Sequence, residues 1–355
     1  MATLTEIDEV DARLLNAIQT QVPLVPRPYA EIASKLNVPR EHVLDRLTAL
    51  HTGPRAPIRQ IGAIFDSKSL GYHSTLIAAK VPENQLDRAA AAINAHPGVS
   101  HNYRRDHQYN LWFTLALAPD SQLGLDATAA ILQRRAGATA IRLMPTLKLY
   151  KIGVNLDLGT GQKGGRPLFD GAASMPAVAA LSERDKRLIR ALQKDLPIVE
   201  NPFDDLAEEA NVTVDELLEA AAQFQSRGLM RRFSAVLRHR ELGFDANAMG
   251  VWIVPPARQD SFGAKAARFS EVSHCYLRPS YPDWPYTIFT MIHTQDRARA
   301  TDVLRAISAA TGVQRYAALY STHEYKKVRV QYFTGDADAW EAGVGGGEFN
   351  QGILS

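Results

Sequence analysis

Apolar residues recur every three to four positions in DARLLNAIQTQV, where Leu14, Leu15 and Ile18 fall on one side of a helix. The following YAEIASKLNVPREHVLDRLTALH keeps that spacing on both sides of Asn37–Pro39, which predicts helix, turn, helix. Pro39 suits a helix start, because the N–H it lacks has no partner to lose there. IRQIGAIFD then alternates with period two and reads as a strand. Together these elements predict a winged helix-turn-helix. Further on, STLIAAKVP reads as a strand, NQLDRAAAAINAH as a helix, and VSHNYRRDH with YNLWFTLALA as a hairpin. DATAAILQRRAG is a helix stopped by Gly137, and AIRLMPTLKLYKI is a last strand. The order βαββαβ predicts a ferredoxin-like sandwich.

The same order is then written a second time. In LSERDKRLIRALQKDLPIVENPFDDLAEEANV, Asp11 falls on Asp185, Leu14 on Leu188, Pro23 on Pro197, Pro28 on Pro202 and Val38 on Val212. Leu70–Tyr72 matches Leu242–Phe244, VSHNY matches VSHCY, and Tyr150-Lys151 matches Tyr325-Lys326. A repeat of this length means two diverged copies of one structural unit. The fold class is therefore α+β: two tandem copies of a winged helix-turn-helix plus a ferredoxin-like domain, forming a pseudo-dimer. The division reads as 1–56 helix-turn-helix, 57–155 ferredoxin-like, 156–180 linker, 181–228 helix-turn-helix, 229–333 ferredoxin-like and 334–355 tail. The linker is rich in glycine, proline and small residues. The acidic, glycine-rich tail is expected to be loose.

Composition narrows the function classes. At 355 residues, with 46% hydrophobic and 22% charged residues, the chain is an ordinary globular one. A formal charge of +2 gives no argument for a nucleic-acid or membrane partner. The single cysteine, Cys275, allows neither an internal disulfide nor a cysteine-built metal site. The start lacks the order of a secretory signal, and no uncharged run approaches the ~18 residues of a membrane span. A cytoplasmic protein is expected.

The two hairpins, HNYRRDHQYNLWFT and HCYLRPSYPDWPYTIFT, are long and rich in rare residues. The domain order resembles the Lrp/AsnC family of regulators. The second copy's DNA-reading helix, TVDELLEAAAQ, carries Asp215, Glu216 and Glu219 and no base, so a phosphate backbone would repel it. With these hairpins and two copies in one chain, the sequence is more similar to an enzymatic branch, the siroheme decarboxylase family, in its fused form. That resemblance implies loss of two acetate carboxyl groups of siroheme as carbon dioxide, giving didecarboxysiroheme in heme d1 or alternative heme biosynthesis. It implies no cofactor, because the macrocycle accepts the electron density and its iron arrives with the substrate. It also implies companion decarboxylase subunits or association of two such chains as partners, with no nucleic acid and no membrane. The rivals are a small-molecule-sensing regulator and a tetrapyrrole-binding protein without turnover.

Siroheme carries many carboxylates, so its site needs arginine or lysine forks, flat apolar walls and a proton donor. Strand alternation places Val99, His101, Tyr103 and Arg105 on one face, opposite Ser100, Asn102 and Arg104. Val272, His274, Tyr276 and Arg278 repeat that face. His101 and His274 are the candidate acid or positioning groups, since histidine titrates near neutral pH. Tyr103 and Tyr276 would orient a carboxylate or pass a proton. Arg105 and Arg278 would hold substrate carboxylates. Further basic candidates are Arg59, Arg231 and Arg232 on the strand leaving the winged domain, and Lys148 and Lys151 on the last strand. Lys326 and Lys327 read as a solvated sheet edge, and His323 is a weaker candidate than the hairpin histidines. His107 reads as structural, Trp112 and Phe113 as core. The second hairpin's insertion, PSYPDWP, is stiffened by three prolines, and Trp284 at its tip would cover a flat ligand.

Overall fold

The computed structural model describes residues 7–53, 56–152, 180–238, 246–294 and 296–345. The expected linker lies almost wholly outside these residues. The first copy runs α1 (Glu9–Thr20), α2 (Pro28–Leu36), α3 (Arg40–His51) and β1 (Ile58–Phe65). It continues with β2 (His73–Lys80), α4 (Leu86–Asn94), β3 (Val99–Arg105), β4 (Leu111–Leu117), α5 (Gly124–Ala136), β5 (Ala140–Met144) and β6 (Lys148–Ile152). The second copy runs α6 (Glu183–Leu192), α7 (Asp204–Ala210), α8 (Val214–Ser226) and β7 (Met230–Leu237). Its remaining elements are β8 (Ala246–Trp252), α9 (Gln259–Ala266), β9 (Val272–Leu277), β10 (Ile288–Thr294), α10 (Arg297–Thr311) and β11 (Tyr316–Lys327), followed by α11 (Asp336–Gly345).

Local signals recur in both copies. Asp8 caps α1 and Ser182 caps α6, each in a reciprocal box with an aspartate three residues on. Asn37 and Asn211 end α2 and α7 in the left-handed conformation, with φ 57° and 55°.

The chain divides into two compact units, one holding the six helix-turn-helix helices and the other both ferredoxin-like domains. In the first unit, β1 and β7 pair with each other, antiparallel, with Gly62 opposite Ser234. Each also takes one bond from the opposite copy: Val22 N–H donates to Phe233 O, and Leu196 N–H to Ile61 O. A Cβ at Gly62 would stand 2.5 Å from the Lys194 carbonyl oxygen, so this approach requires glycine. Both strands therefore stay with the helical unit. The division falls after Leu70 and Phe244, later than the boundaries at 57 and 229 that the sequence suggested. A strand's partner, not its own alternation, sets which unit it joins.

The second unit is built on one nine-stranded sheet in the order β5-β2-β4-β3-β11-β8-β10-β9-β6. Each copy makes the expected βαββαβ arrangement. The final strands reach across: β11 pairs with β8 through Ala318 and then with β3 through Lys327, while β6 pairs with β9. The first copy's helices cover a core of Ile77, Val99, Leu111, Phe113 and Leu115. The second copy's helices cover Trp252, Val272, Cys275, Ile288 and Ile292. On the other face, residues of both copies meet in a third cluster that includes Ala78, Trp112, Met249, Trp284, Phe289 and Leu319.

The tail is not loose as far as Gly345. It forms α11, whose Trp340 ring lies 4.3 Å from the His96 ring, with the Arg135 guanidinium 5.2 Å above it. Glu341 accepts from Ser121 Oγ and the Gln122 N–H. The second copy's tail thus caps the first copy's helical layer, and aromatic burial outweighs the glycine-rich composition. The remainder of the tail lies outside the described residues.

Candidate active site

Both hairpins contain the same irregularity. The pairing of β3 with β4 slips between Val99 and His101, and that of β9 with β10 slips between Met291 and Ile292, opposite Ser273. Such a bulge lets two residues of one strand oppose one of the other and turns later side chains over. Val99 and Val272 accordingly enter the helix-side cores. His101, Tyr103 and Arg105 take the opposite face, as do His274, Tyr276 and Arg278. The expectation that Val99 and Val272 share the histidine face is corrected by these bulges, while the three chemical groups of each copy stay together.

The bulge serine also fixes the histidine. Ser100 Oγ lies 2.9 Å from His101 Nδ1 and 2.7 Å from Thr114 Oγ1. Ser273 Oγ lies 2.8 Å from His274 Nδ1 and donates to the Met291 carbonyl. Engaging Nδ1 sets the ring orientation and turns Nε2 outward from the bulge. The rings of His101 and Tyr103 are 6.2 Å apart, and those of His274 and Tyr276 5.9 Å. Arg105 follows over Tyr103 at 5.8 Å, and Arg278 over Tyr276 at 4.7 Å. Each copy therefore presents a ladder of imidazole, phenol and guanidinium.

The arginines are the costly members. Arg105 is 5% exposed and Arg278 8%. Each donates one bond to a carbonyl of the opposite copy, Arg105 to Leu319 at 3.0 Å and Arg278 to Met144. Their buried Nε atoms have no hydrogen-bond partner among the described residues. Burial pushes both guanidinium pKa values down to about 10, and the one opposing influence on each is the neighbouring tyrosine. A buried cation without a carboxylate is expensive to keep. An anionic ligand would supply what is missing.

Other candidates are placed elsewhere. Lys148 pairs with Asp260 of α9 at 2.7 Å, and Lys151 Nζ donates to the Phe269 carbonyl at 2.7 Å. Both serve the contact between β6 and the α9 layer, away from His274. Arg59, Arg231 and Arg232 belong to the other unit, on β1 and β7. Arg231 grips Asp66 through Nε at 3.0 Å and Nη2 at 2.6 Å, and burial, with Arg231 beside it, lowers the Arg232 pKa. Trp284 is no cover. It is fully buried, 5.1 Å from the Trp112 ring and 5.8 Å from Tyr109. The proline-rich insertion is pinned down instead of raised: Asp283 accepts from Tyr109 Oη at 2.6 Å and from Arg142 at 2.7 and 3.0 Å, and Tyr281 donates to the Leu143 carbonyl. His107 is half-buried and held within the fold. Its Nδ1 accepts the Tyr109 N–H, and its ring meets Trp284 edge-on at 5.1 Å. Lys326 and Lys327 are half-buried and not fully solvated: they pair with Asn102 and His101 of β3, and Lys326 Nζ donates to the Asn94 carbonyl.

Sequence reasoning missed the roles of Ser100, Ser273 and Thr114, and of Leu149, Ile152 and Glu324 beside the ladders, and it read Lys327 as a solvated edge. The match of Tyr150-Lys151 to Tyr325-Lys326, carried one residue further, would have pointed to Ile152 and Lys327.

Two family models cover most of the chain. The AsnC-like ligand binding domain matches residues 69–151 and 241–326. The siroheme decarboxylase NirDL-like HTH domain matches 11–53 and 185–231. The siroheme decarboxylase of Hydrogenobacter thermophilus is 36% identical over 328 residues, covering 92% of this chain and 96% of that protein. The siroheme decarboxylase alpha subunit of Desulfovibrio desulfuricans is 46% identical over 156 residues, 43% of this chain and 86% of its own length. A crystal structure of the siroheme decarboxylase NirDL in complex with an iron-uroporphyrin III analogue superimposes with a TM-score of 0.73 at 32% identity, covering 94% of this chain and 98% of that one. This chain belongs to the siroheme decarboxylase family and carries both copies in one polypeptide.

Proposed function

We propose that this chain removes two acetate carboxyl groups from siroheme and releases didecarboxysiroheme and two molecules of carbon dioxide. The observation that carries the reading is the pair of buried guanidiniums, each without a carboxylate partner among the described residues and each at the end of a His-x-Tyr-x-Arg ladder. A substrate rich in carboxylates fits such cations better than a neutral ligand would.

In each turnover, the bond between the carboxyl carbon and its methylene breaks. The electron pair passes into the conjugated macrocycle, carbon dioxide leaves, and a proton added to the methylene completes a methyl group. The step is redox-neutral and consumes one proton per carboxylate. No cofactor is needed, because the macrocycle is itself the electron sink. Arg105 and Arg278 hold carboxylates, and Tyr103 and Tyr276 orient them. In their imidazolium form His101 and His274, held through Nδ1, deliver the proton from Nε2, and each neutral ring takes a proton back from solvent before the next step. Both ladders lie within one unit of one chain, so the fused polypeptide supplies both half-sites without a companion subunit. Among the described residues no helix is long and apolar enough to cross a membrane.

Anaerobic incubation of the purified chain with siroheme, followed by mass spectrometry, tests the reading. Loss of two carbon dioxide masses is expected. A tetrapyrrole-binding protein without turnover would change the absorbance of siroheme and return it intact, and that result would refute the enzyme. His101→Ala and His274→Ala should each slow turnover with the fold retained; full activity in both would remove the catalytic assignment.

A further inference from the structure

The two ladders match, but the strands beside them do not. The last strand of each copy runs next to the other copy's ladder: β11 beside His101, β6 beside His274. Both strands contain a bulge at the same place. In β11, Tyr325 and Lys326 turn together toward α4, where Tyr325 Oη donates to Asp87 and Lys326 Nζ to the Asn94 carbonyl at 2.8 Å. In β6, Tyr150 and Lys151 turn together toward α9, to Asp260 and the Phe269 carbonyl. The residues on either side of each bulge therefore take the ladder face, because directly paired residues of neighbouring strands share a face. In the first half-site these are Glu324, paired with Tyr103, and Lys327, paired with His101. In the second they are Leu149, paired with Tyr276, and Ile152, paired with His274.

The other flank differs in the same sense. His101 is paired with Thr114 on β4, whereas His274 is paired with Met291 on β10. Imidazole, phenol and guanidinium are thus held constant while their neighbours change. Thr114, Glu324 and Lys327 surround the first ladder, and Met291, Leu149 and Ile152 surround the second. A dicarboxylate substrate whose two ends were treated alike would give no reason for this difference.

On the reading above, we propose that Lys327, contributed by the second copy, is a specificity-determining residue of the first half-site: its ammonium binds a substrate carboxylate beside His101, and the second half-site has no cation at that position. The first half-site takes a charged edge of the macrocycle, and the second takes a carboxylate set among apolar walls. Thr114 keeps Ser100 and His101 in place at the charged end, and the Val328 N–H holds β11 to the bulge through the Ser100 carbonyl at 2.7 Å.

Optical titration of the full chain with siroheme tests this without requiring turnover. Lys327→Met should weaken siroheme binding by about 10-fold or more, the range expected for losing one charge-assisted hydrogen bond. Lys327→Arg should restore affinity to within about threefold. Lys326→Met, on the α4 side, should leave affinity unchanged and control for loss of charge on the strand. Circular dichroism and the thermal midpoint establish that each variant is folded. The proposal is overturned if Lys327→Met binds siroheme within twofold of the parent, or if Lys326→Met weakens binding equally. A parent chain that binds and decarboxylates siroheme while Lys327→Met matches it would sink this inference alone. A parent chain that leaves siroheme intact would sink the proposed function instead.

Discussion

Replacing Arg105 or Arg278 by methionine separates a binding group from a structural strut. Lowering a guanidinium from its ordinary value to about 10 by burial corresponds to a cost of about 3 kcal/mol for keeping it charged in the fold. The sign follows from proton binding. At high pH the unfolded chain holds the proton more tightly than the fold does, so stability rises as the pH climbs above about 10, and the full cost is present throughout the neutral range. Against it stands one charge-assisted bond, from Arg105 to the Leu319 carbonyl or from Arg278 to the Met144 carbonyl, worth about 1.5–3 kcal/mol. The ring contacts with Tyr103 and Tyr276 add a little more. These effects nearly cancel. Methionine fills a similar volume and carries no charge, so either variant should keep the substrate-free stability within about 1 kcal/mol of the parent. Breaking an ordinary buried ion pair costs about 3–5 kcal/mol by comparison. Guanidinium chloride titration at pH 7 measures the first quantity, and siroheme titration the second. Affinity should fall about 10-fold or more in each variant. A variant that loses more than about 3 kcal/mol of stability yet binds siroheme normally would show that the arginine is a strut between the two copies, and the argument from unpaired buried cations would fail.

Further tests address the scaffold. His96 is buried, its Nδ1 accepts the Gly98 N–H at 2.9 Å, and burial, aided by Lys326 and Arg135, pushes its pKa down to about 4. An unfolded histidine binds its proton near 6.5, so stability should be lost as the pH falls from about 6.5 toward 4. The loss should reach about 2 kcal/mol by pH 5, and His96→Asn should flatten that part of the stability–pH curve. Trp340→Ala should destabilise the ferredoxin-like unit by about 2 kcal/mol, read as a lowered thermal midpoint, because it removes the aromatic contact between α11 and the α4–α5 layer. Asp283→Asn removes the charge that draws Tyr109 and two Arg142 nitrogens. It should cost up to about 1 kcal/mol, since this group is exposed, and quicken limited proteolysis within the 279–285 insertion.

Much of this is legible in the sequence. The periodicities of 3.6 and 2 placed the helices and strands, and the repeat fixed the duplicated βαββαβ order and the His-x-Tyr-x-Arg ladders. What failed did so for identifiable reasons. Alternation assumes an uninterrupted ladder, so it carried Val99 and Val272 onto the wrong face; a bulge at a serine has no period of its own. Three prolines and a tryptophan read as a stiff cover for a flat ligand, yet Trp284 lies in the shared core among apolar residues of both copies. The strand partners of β1, β7, β6 and β11 are set by packing between copies, and a single copy's pattern holds no information on that choice. Lys327 was read as an edge lysine for the same reason: its surroundings become visible only once β3 is known to lie beside it.

The structure also accounts for why the chain keeps two copies. The exchange of final strands makes each ladder a joint product: the first copy supplies His101, and the second supplies the residues opposite it on β11. A substitution on one final strand therefore alters the half-site of the other copy and leaves its own ladder untouched. In an assembly of two identical subunits, any such change would appear in both half-sites at once. Fusion, or the use of two different subunits, removes that constraint. Leu149 and Ile152 on one strand can then stand where Glu324 and Lys327 stand on the other, while the serine bulges and the imidazole, phenol and guanidinium order remain common to both. On the proposed reading, that combination suits a macrocycle without twofold symmetry: common chemistry at two reacting carboxylates, within surroundings that differ enough to fix which edge of the ring meets which half-site.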